Sequence, residues 1–342
     1  MSQPALDAPT LDVVAIGHAI VDVLTHADDA ELERLQLSKG TMALVDADEA
    51  ETLYAAMGPA VEVSGGSAAN TAAGIASFGG AVAFVGKVRD DELGAVFSHD
   101  IRAEGVEYST PPAEKGPTTA RCLVLVTPDA QRTMSTYLGA ATGLRPDDLD
   151  DDVIASARVT YLEGYLWDPP EAIDALLRAM DVAHRAGRQV AFSLSDPFCV
   201  ERHRKEFLDL VDHEVDVLFA NEAEAISLTG AGSLDEAVKA LSGRCRLVAL
   251  TRGPEGSLVL EGDAVIEVPA MPVHEVVDTT GAGDLYAAGF LYGLTHGADA
   301  ETCASLGGVA AAEVISHVGA RPQVSLSKVA DEAELTLDDR RR

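Results

Sequence analysis

The stretch Val276–Gly289 reads VVDTTGAGDLYAAG. Its apolar start predicts a strand, Asp278–Asp284 a turn, and the Ala-rich remainder a helix. A strand that feeds a Gly-x-Gly turn into a helix N-terminus aims several backbone N–H groups at one point, and that arrangement binds anions. Glycine lets the backbone approach a ligand closely, and Asp284 at the mouth of the turn supplies a carboxylate able to accept a hydroxyl proton. A base and an anion hole on one turn suggest phosphoryl transfer to an alcohol, where positioning and charge stabilisation dominate. Taken alone, the segment also reads as a Gly-rich turn with a capping Asp.

Outward from this turn, short β-branched runs alternate with Ala-rich segments of helical period. Leu11–Gly17 is followed by Ser67–Phe78, Ala81–Gly86 and Asp91–Glu104. Val159–Leu162, Pro169–Ala186, Gln189–Ser193, Val215–Ala220, Asn221–Leu228 and Leu247–Thr251 continue the rhythm, and two helices, Ala282–His296 and Ala300–Ser316, close it. The pattern predicts a mostly parallel sheet with crossover helices. Segments 19–63 and 106–138 break it. In the second, Thr119–Val126 and Arg132–Leu138 flank Pro128-Asp129-Ala130 and read as a β-hairpin. Strands inserted between βα units predict a small sheet standing off the main domain, either a lid over a site or a plain edge hairpin. The whole chain, 1–342, reads as one domain with these insertions and a loosely ordered tail at 331–342.

The 342 residues hold 56 acidic against 25 basic side chains, a formal charge of −31. That excludes a general nucleic-acid or anionic-membrane binder, since phosphate contacts need clustered Lys and Arg. A composition 47% hydrophobic supports a large core. Cys122, Cys199, Cys245 and Cys303 show no C-x-x-C pairing and read as buried thiols. The start MSQPALDAPT has no basic or apolar leader region, and no apolar run reaches the ~18 residues of a membrane span, so a cytoplasmic protein is expected. Gly80–Val88 is not a phosphate-binding P-loop: the glycine spacing is wrong and Val88 has no hydroxyl.

DTTGAGD resembles the C-terminal signature of the ribokinase, or PfkB, family of sugar and nucleoside kinases. Gly65-Gly66-Ser67-Ala68-Ala69-Asn70 resembles the family's glycine-pair motif, Asn221-Glu222-Ala223-Glu224 its N-x-x-E element, and Thr251-Arg252-Gly253-Pro254-Glu255-Gly256 its T-x-G-x-x-G strand end. The resemblance covers nearly the whole chain. It implies a three-layer ribokinase-like α/β sandwich with a small β lid, using ATP and Mg2+ on a small-molecule acceptor, as a monomer or homodimer.

Position by position, the resemblance makes Asp284 the base that activates the acceptor hydroxyl, with the N–H groups of Gly281, Ala282 and Gly283 holding the developing charge. It gives Asp22 the acceptor's hydroxyls, aided by Gly65, Gly66 and Asn70. Arg132, in the lid hairpin, becomes a clamp on the phosphates. Asn221 and Glu224 order Mg2+ through water, although Glu224 also reads as an ordinary first-turn carboxylate, and Thr251, Gly253 and Gly256 take the nucleotide. Tyr165, with Trp167 as a neighbouring candidate, would stack on a base. A monovalent cation, K+, would sit in a loop of Asp278, Thr280, Val314 and Gly319. Stretches such as Ala157–Gly164, Ser193–Phe198 and Gln131–Ala141 look more like adenosine kinases than sugar kinases. A nucleoside 5′-hydroxyl is therefore the expected acceptor, with ribose, fructose or a related ketose, or a silent ligand-binding protein, as the alternatives.

Overall fold

In the strand Leu11–Ile16, Val13 and Ala15 enter one hydrophobic core while Val14 and Ile16 enter another. A strand apolar on both faces must be covered on both sides, which is the condition of a parallel sheet between two helical layers. The computed structural model describes residues 9–129, 131–335 and 337. Its strands are β1 (Leu11–Ile16), β2 (Ile20–His26), β3 (Met42–Leu44), β4 (Val61–Gly65), β5 (Val82–Val85), β6 (Glu107–Tyr108), β7 (Ala120–Val126), β8 (Arg132–Tyr137), β9 (Ala157–Glu163), β10 (Gln189–Ser193), β11 (Val217–Asn221), β12 (Leu247–Thr251), β13 (Ser257–Glu261) and β14 (Ala264–Val268). The large sheet runs β14-β13-β12-β11-β10-β9-β1-β5-β6. All its pairs are parallel except β12–β13 and β13–β14.

Helices Ser67–Phe78, Glu92–Ala103, Ala282–Thr295 and Ala300–Val314 share one core with the sheet. Helices Pro170–Arg185, Pro197–His213, Glu222–Thr229 and Leu234–Leu241 share the other. This is the expected three-layer α/β sandwich.

The small sheet also forms, in the order β3-β8-β7-β2-β4. The β7–β8 hairpin is antiparallel, with Val126 opposite Arg132, and Ala130 of its turn lies outside the described residues. One boundary moves. Residues 107–108 pair with β5 in the large sheet, so the second inserted segment starts after β6 and not at 106. Of the tail expected at 331–342, residues 331–332 belong to the helix Leu326–Glu332, and 336 and 338–342 lie outside the described residues.

The strand expected at Val276 is absent. Residues 269–281 carry neither strand nor helix, and the N–H groups of Val277 and Asp278 go to the carbonyl of Ile315. The end of a helix, and not a sheet neighbour, satisfies this extended chain. Among the described residues, six helices escaped the alternation reading: Asp29–Arg34, Ala47–Ala56, Asp151–Ser156, Pro197–His213, Leu234–Leu241 and Leu326–Glu332. Pro197–His213 bends at His203 (φ −120°, ψ 19°), which breaks its apolar period. Leu234–Leu241 spans only 8 residues. Among the described residues, no helix is long and apolar enough to cross a membrane.

Candidate active site

Asp284 stands in the first turn of the helix Ala282–Thr295, behind Gly281, whose φ of +78° lets the chain turn into the helix. Its carboxylate accepts from Ser67 Oγ at 2.7 Å and from Asn70 Nδ2 at 2.9 Å. Both donors come from the first turn of the helix Ser67–Phe78, and Thr71 Oγ1 adds a bond to the Asp284 carbonyl at 3.1 Å. The two helix N-termini therefore meet at one carboxylate. Burial raises its pKa above the ordinary carboxylate range, while Asn70, Ser67 and the Arg321 guanidinium oppose the rise. An acceptor-only group with a raised pKa and fixed orientation is suited to take a proton.

A cavity of about 340 Å³ opens on this point, walled by Ser67, Tyr165, Asn221, Glu224, Thr251 and the Gly281–Asp284 turn. Asn221 caps the helix Glu222–Thr229: its side chain accepts from the Glu224 N–H, and Glu224 takes the Asn221 N–H at 2.8 Å and its Nδ2 at 2.7 Å. Burial pushes the Glu224 carboxyl up to about 7. The plain first-turn reading of Glu224 is thus part of the structure, and the same pair faces the cavity.

A second cavity, about 460 Å³, lies between the small sheet and residues 318–323, with Asp22, Arg132, Ser64 and Arg321 on its wall. Asp22 rises to about 6, chiefly through burial, with Arg132 and Arg321 pulling it down and Asp284 pushing it up. The glycine pair makes this approach possible. A Cβ on Gly65 would lie 2.5 Å from the Asp22 carboxyl, and one on Gly66, where φ is +99°, would lie 2.2 Å from the His18 carbonyl oxygen.

The description pfkB family carbohydrate kinase matches residues 41–326. The chain belongs to this kinase family. It is accordingly a phosphotransferase that uses ATP and acts on an alcohol group. A solved adenosine kinase from Sinorhizobium meliloti is 52% identical, with a TM-score of 0.88 over 94% of this chain and 99% of that one. A probable sugar kinase from Rhizobium etli CFN 42 is 49% identical, with a TM-score of 0.90 over 96% and 100%. The adenosine kinase of Saccharomyces cerevisiae is 30% identical over 333 residues, 91% of this chain and 96% of its own length.

Against that kinase frame, several expected residues sit differently. Trp167 is core, packed edge-on to Phe192 and Phe207, and cannot stack on a ligand. Tyr165 lines the Asp284 cavity, with its hydroxyl donating to the Ser195 carbonyl at 3.2 Å, so it and Asp22 face different cavities. Thr251 reaches the Asp284 cavity, whereas Gly253 and Gly256 shape the turn beyond it and wall neither cavity.

Arg132 is no solvent-facing arm: it is buried in an ion pair with Asp278 at 2.7 Å. Asp278 also accepts the N–H groups of Thr280 at 3.0 Å and Gly319 at 2.9 Å. The loop expected for K+ thus brings Asp278, Thr280 and Gly319 together, with the Arg132 guanidinium paired to the Asp278 carboxylate. Among the described residues, no group of three or more His, Cys, Asp or Glu side chains could hold a metal.

Sequence reasoning missed Arg321. Its guanidinium donates to the carbonyls of Ala69 at 2.8 Å and Ser64 at 2.9 Å, so it lies under the glycine-pair loop. No local pattern could show this, because the partners are more than 250 positions away. The pairing of Ser67 with Asp284 was equally hidden.

Proposed function

We propose that this kinase transfers the γ-phosphoryl group of ATP to the 5′-hydroxyl of a nucleoside, with adenosine the favoured acceptor. The observation that carries the reading is Asp284, a raised-pKa carboxylate oriented by Ser67 and Asn70 at the start of an anion-binding helix turn. Asp284 takes the proton of the acceptor hydroxyl. The N–H groups of Gly281, Ala282 and Gly283 hold the charge that develops on the transferred group, at a helix N-terminus where such charge is favoured. Asp22 accepts hydroxyl hydrogens of the acceptor, for which an ionised carboxylate has ample lone pairs.

Asn221 and Glu224 place oxygen donors on the wall of the same cavity, a donor set that fits Mg2+. Both Glu224 oxygens are already bonded to Asn221, so this pair would hold the ion through water. When bound, Mg2+ supplies positive charge to the phosphate oxygens. Arg132, buried beside the phosphate-binding turn, supplies a guanidinium on the small sheet, and closure of that sheet would keep water from the phosphoryl group.

The identity to the S. meliloti adenosine kinase favours the nucleoside. The comparable identity to a probable sugar kinase supports a second reading, a free sugar as acceptor on the same machinery. ADP release from Mg·ATP, measured against adenosine, inosine, guanosine, cytidine, ribose and fructose with Asp284→Asn as blank, separates the two. Turnover on adenosine and not on the free sugars is expected. Turnover on a free sugar alone refutes the nucleoside acceptor and leaves the base in place.

A further inference from the structure

Glu163 ends β9 at 0% exposure, and it walls neither cavity. Its Oε1 accepts the backbone N–H of His18 at 2.7 Å, and its Oε2 accepts that of Ala68 at 2.9 Å. His18 lies where the chain leaves β1 for β2, the outward connection from the large sheet to the small one. Ala68 lies in the first turn of the helix Ser67–Phe78, where the chain returns from β4. One carboxylate thus grips both connections of the first insertion.

The grip on Ala68 has a local cause. The helix Ser67–Phe78 begins at Gly66, which has no side chain to accept a first-turn N–H, and no side-chain cap forms there. Helix N-termini leave such donors unsatisfied, and Glu163 supplies the acceptor from 95 positions away. Ala68 stands between Ser67 and Asn70, the two side chains that hold Asp284. The imidazole of His18 is not a counter-ion: burial lowers its pKa to about 4, so it is neutral near pH 7. The carboxylate is held by backbone N–H groups, and a Cβ on Gly17 would come within 2.6 Å of it, so the end of β1 packs closely against it.

We propose that Glu163 is a positioning residue for the transfer: by gripping the N–H groups of His18 and Ala68 it fixes the helix turn that presents Ser67 and Asn70 to Asp284, and it anchors the small sheet at the same point. The inference rests on the reading of Asp284 as the base. Burial pushes the Glu163 carboxyl up to about 7, while the N–H bonds from His18 and Ala68 favour its ionised form; ionised, it accepts both bonds, whereas an amide offers one oxygen and turns an NH2 group toward the other donor. Misplacement of a reacting group by about 1 Å costs on the order of 100-fold in rate.

Glu163→Gln is therefore expected to lower kcat by about 10- to 100-fold while KM for ATP changes by less than about 3-fold. In the Asp284→Asn background the same substitution should change the residual turnover by less than about 2-fold, because residues that act as a unit are not additive. A merely structural role would instead multiply the two losses. Glu163→Asp, which keeps both oxygens one methylene further back, should recover part of the kcat lost in Glu163→Gln, and it serves alone if that variant does not fold. Wild-type kcat in folded Glu163→Gln, a fully multiplicative double variant, or fast hydrogen exchange at the Ala68 amide of the wild-type protein overturns the inference. Those outcomes with an inactive Asp284→Asn leave the assignment of the base standing. Near-full turnover in Asp284→Asn refutes the base, and the inference with it.

Discussion

Replacing Asp284 by Asn removes the base without emptying the space it fills, and the structure gives both effects a direction. The carboxylate accepts two side-chain bonds, from Ser67 Oγ and Asn70 Nδ2. The new amide keeps an oxygen for Ser67 and turns an NH2 group toward Asn70. That partner can rotate, because the buried Asn70 Oδ1 accepts no hydrogen bond among the described residues and becomes the acceptor. Burial raises the Asp284 pKa, so the fold favours its neutral form. For a carboxyl raised in this way, the contribution to stability is full below its unfolded pKa and is lost as pH rises through the folded value. At neutral pH the amide therefore relieves a buried charge, and the variant should melt at or above the wild-type temperature. The chemistry should move the other way. A positioned base contributes about 10²–10⁴-fold, or roughly 2.7–5.4 kcal/mol of barrier at 1.36 kcal/mol per decade. Steady-state ADP release with saturating acceptor, beside a thermal melt and the KM for ATP, measures all three quantities. A folded variant with turnover within about 3-fold of wild type refutes the reasoning.

The site should also lose function in acid: Asp22, raised to about 6, accepts hydroxyl hydrogens at both oxygens only when ionised, so kcat/KM for the acceptor should fall as pH drops through about 6. A flat profile down to pH 5 contradicts this. Arg132→Met leaves Asp278 buried without its cation and should cost about 3–5 kcal/mol in urea unfolding, since both side chains are under 10% exposed. A loss below about 1 kcal/mol would mean that the Thr280 and Gly319 amides suffice. Gly66→Ala forces a side chain to φ +99° and against the His18 carbonyl, which should destabilise by at least about 1–3 kcal/mol in the same assay. An unchanged midpoint would show that the loop relaxes.

What the sequence disclosed was what lies close along the chain. The alternation of strand and helix, the β7–β8 hairpin and the Gly281–Asp284 turn each depend on residues within one or two turns of each other, and periodicity reads at that range. It misled where the partner was distant: Val276 looked like a strand because it is apolar, yet the segment is satisfied by the end of another helix and Val276 itself is exposed. Trp167 and Tyr165 are two positions apart and looked equivalent, and only the tertiary packing sends one to the core and the other to the cavity. The bonds that orient the base join positions 217 and 214 apart, and the Arg132–Asp278 pair joins positions 146 apart. No pattern in one chain contains those distances.

The same long-range contacts place cations where the net charge of −31 does not reveal them. Two of its 25 basic residues, Arg132 and Arg321, lie inside the site region, one against Asp278 and one against the carbonyls of Ser64 and Ala69. Guanidinium groups removed from bulk water are screened far less than surface charges, so their influence at the site exceeds their share of the total. The remaining positive potential is backbone: the Gly281–Asp284 turn and the start of the helix Ser67–Phe78 both present N–H dipoles where Asp284 stands. Asp22, Glu163 and Glu224 all have pKa values raised by burial, to between about 6 and 7, so the interior carboxylates hold their charge less firmly than the acidic surface does. The net charge thus describes the solvated shell, whereas the site sets two buried cations and fixed backbone dipoles beside buried carboxylates of raised pKa.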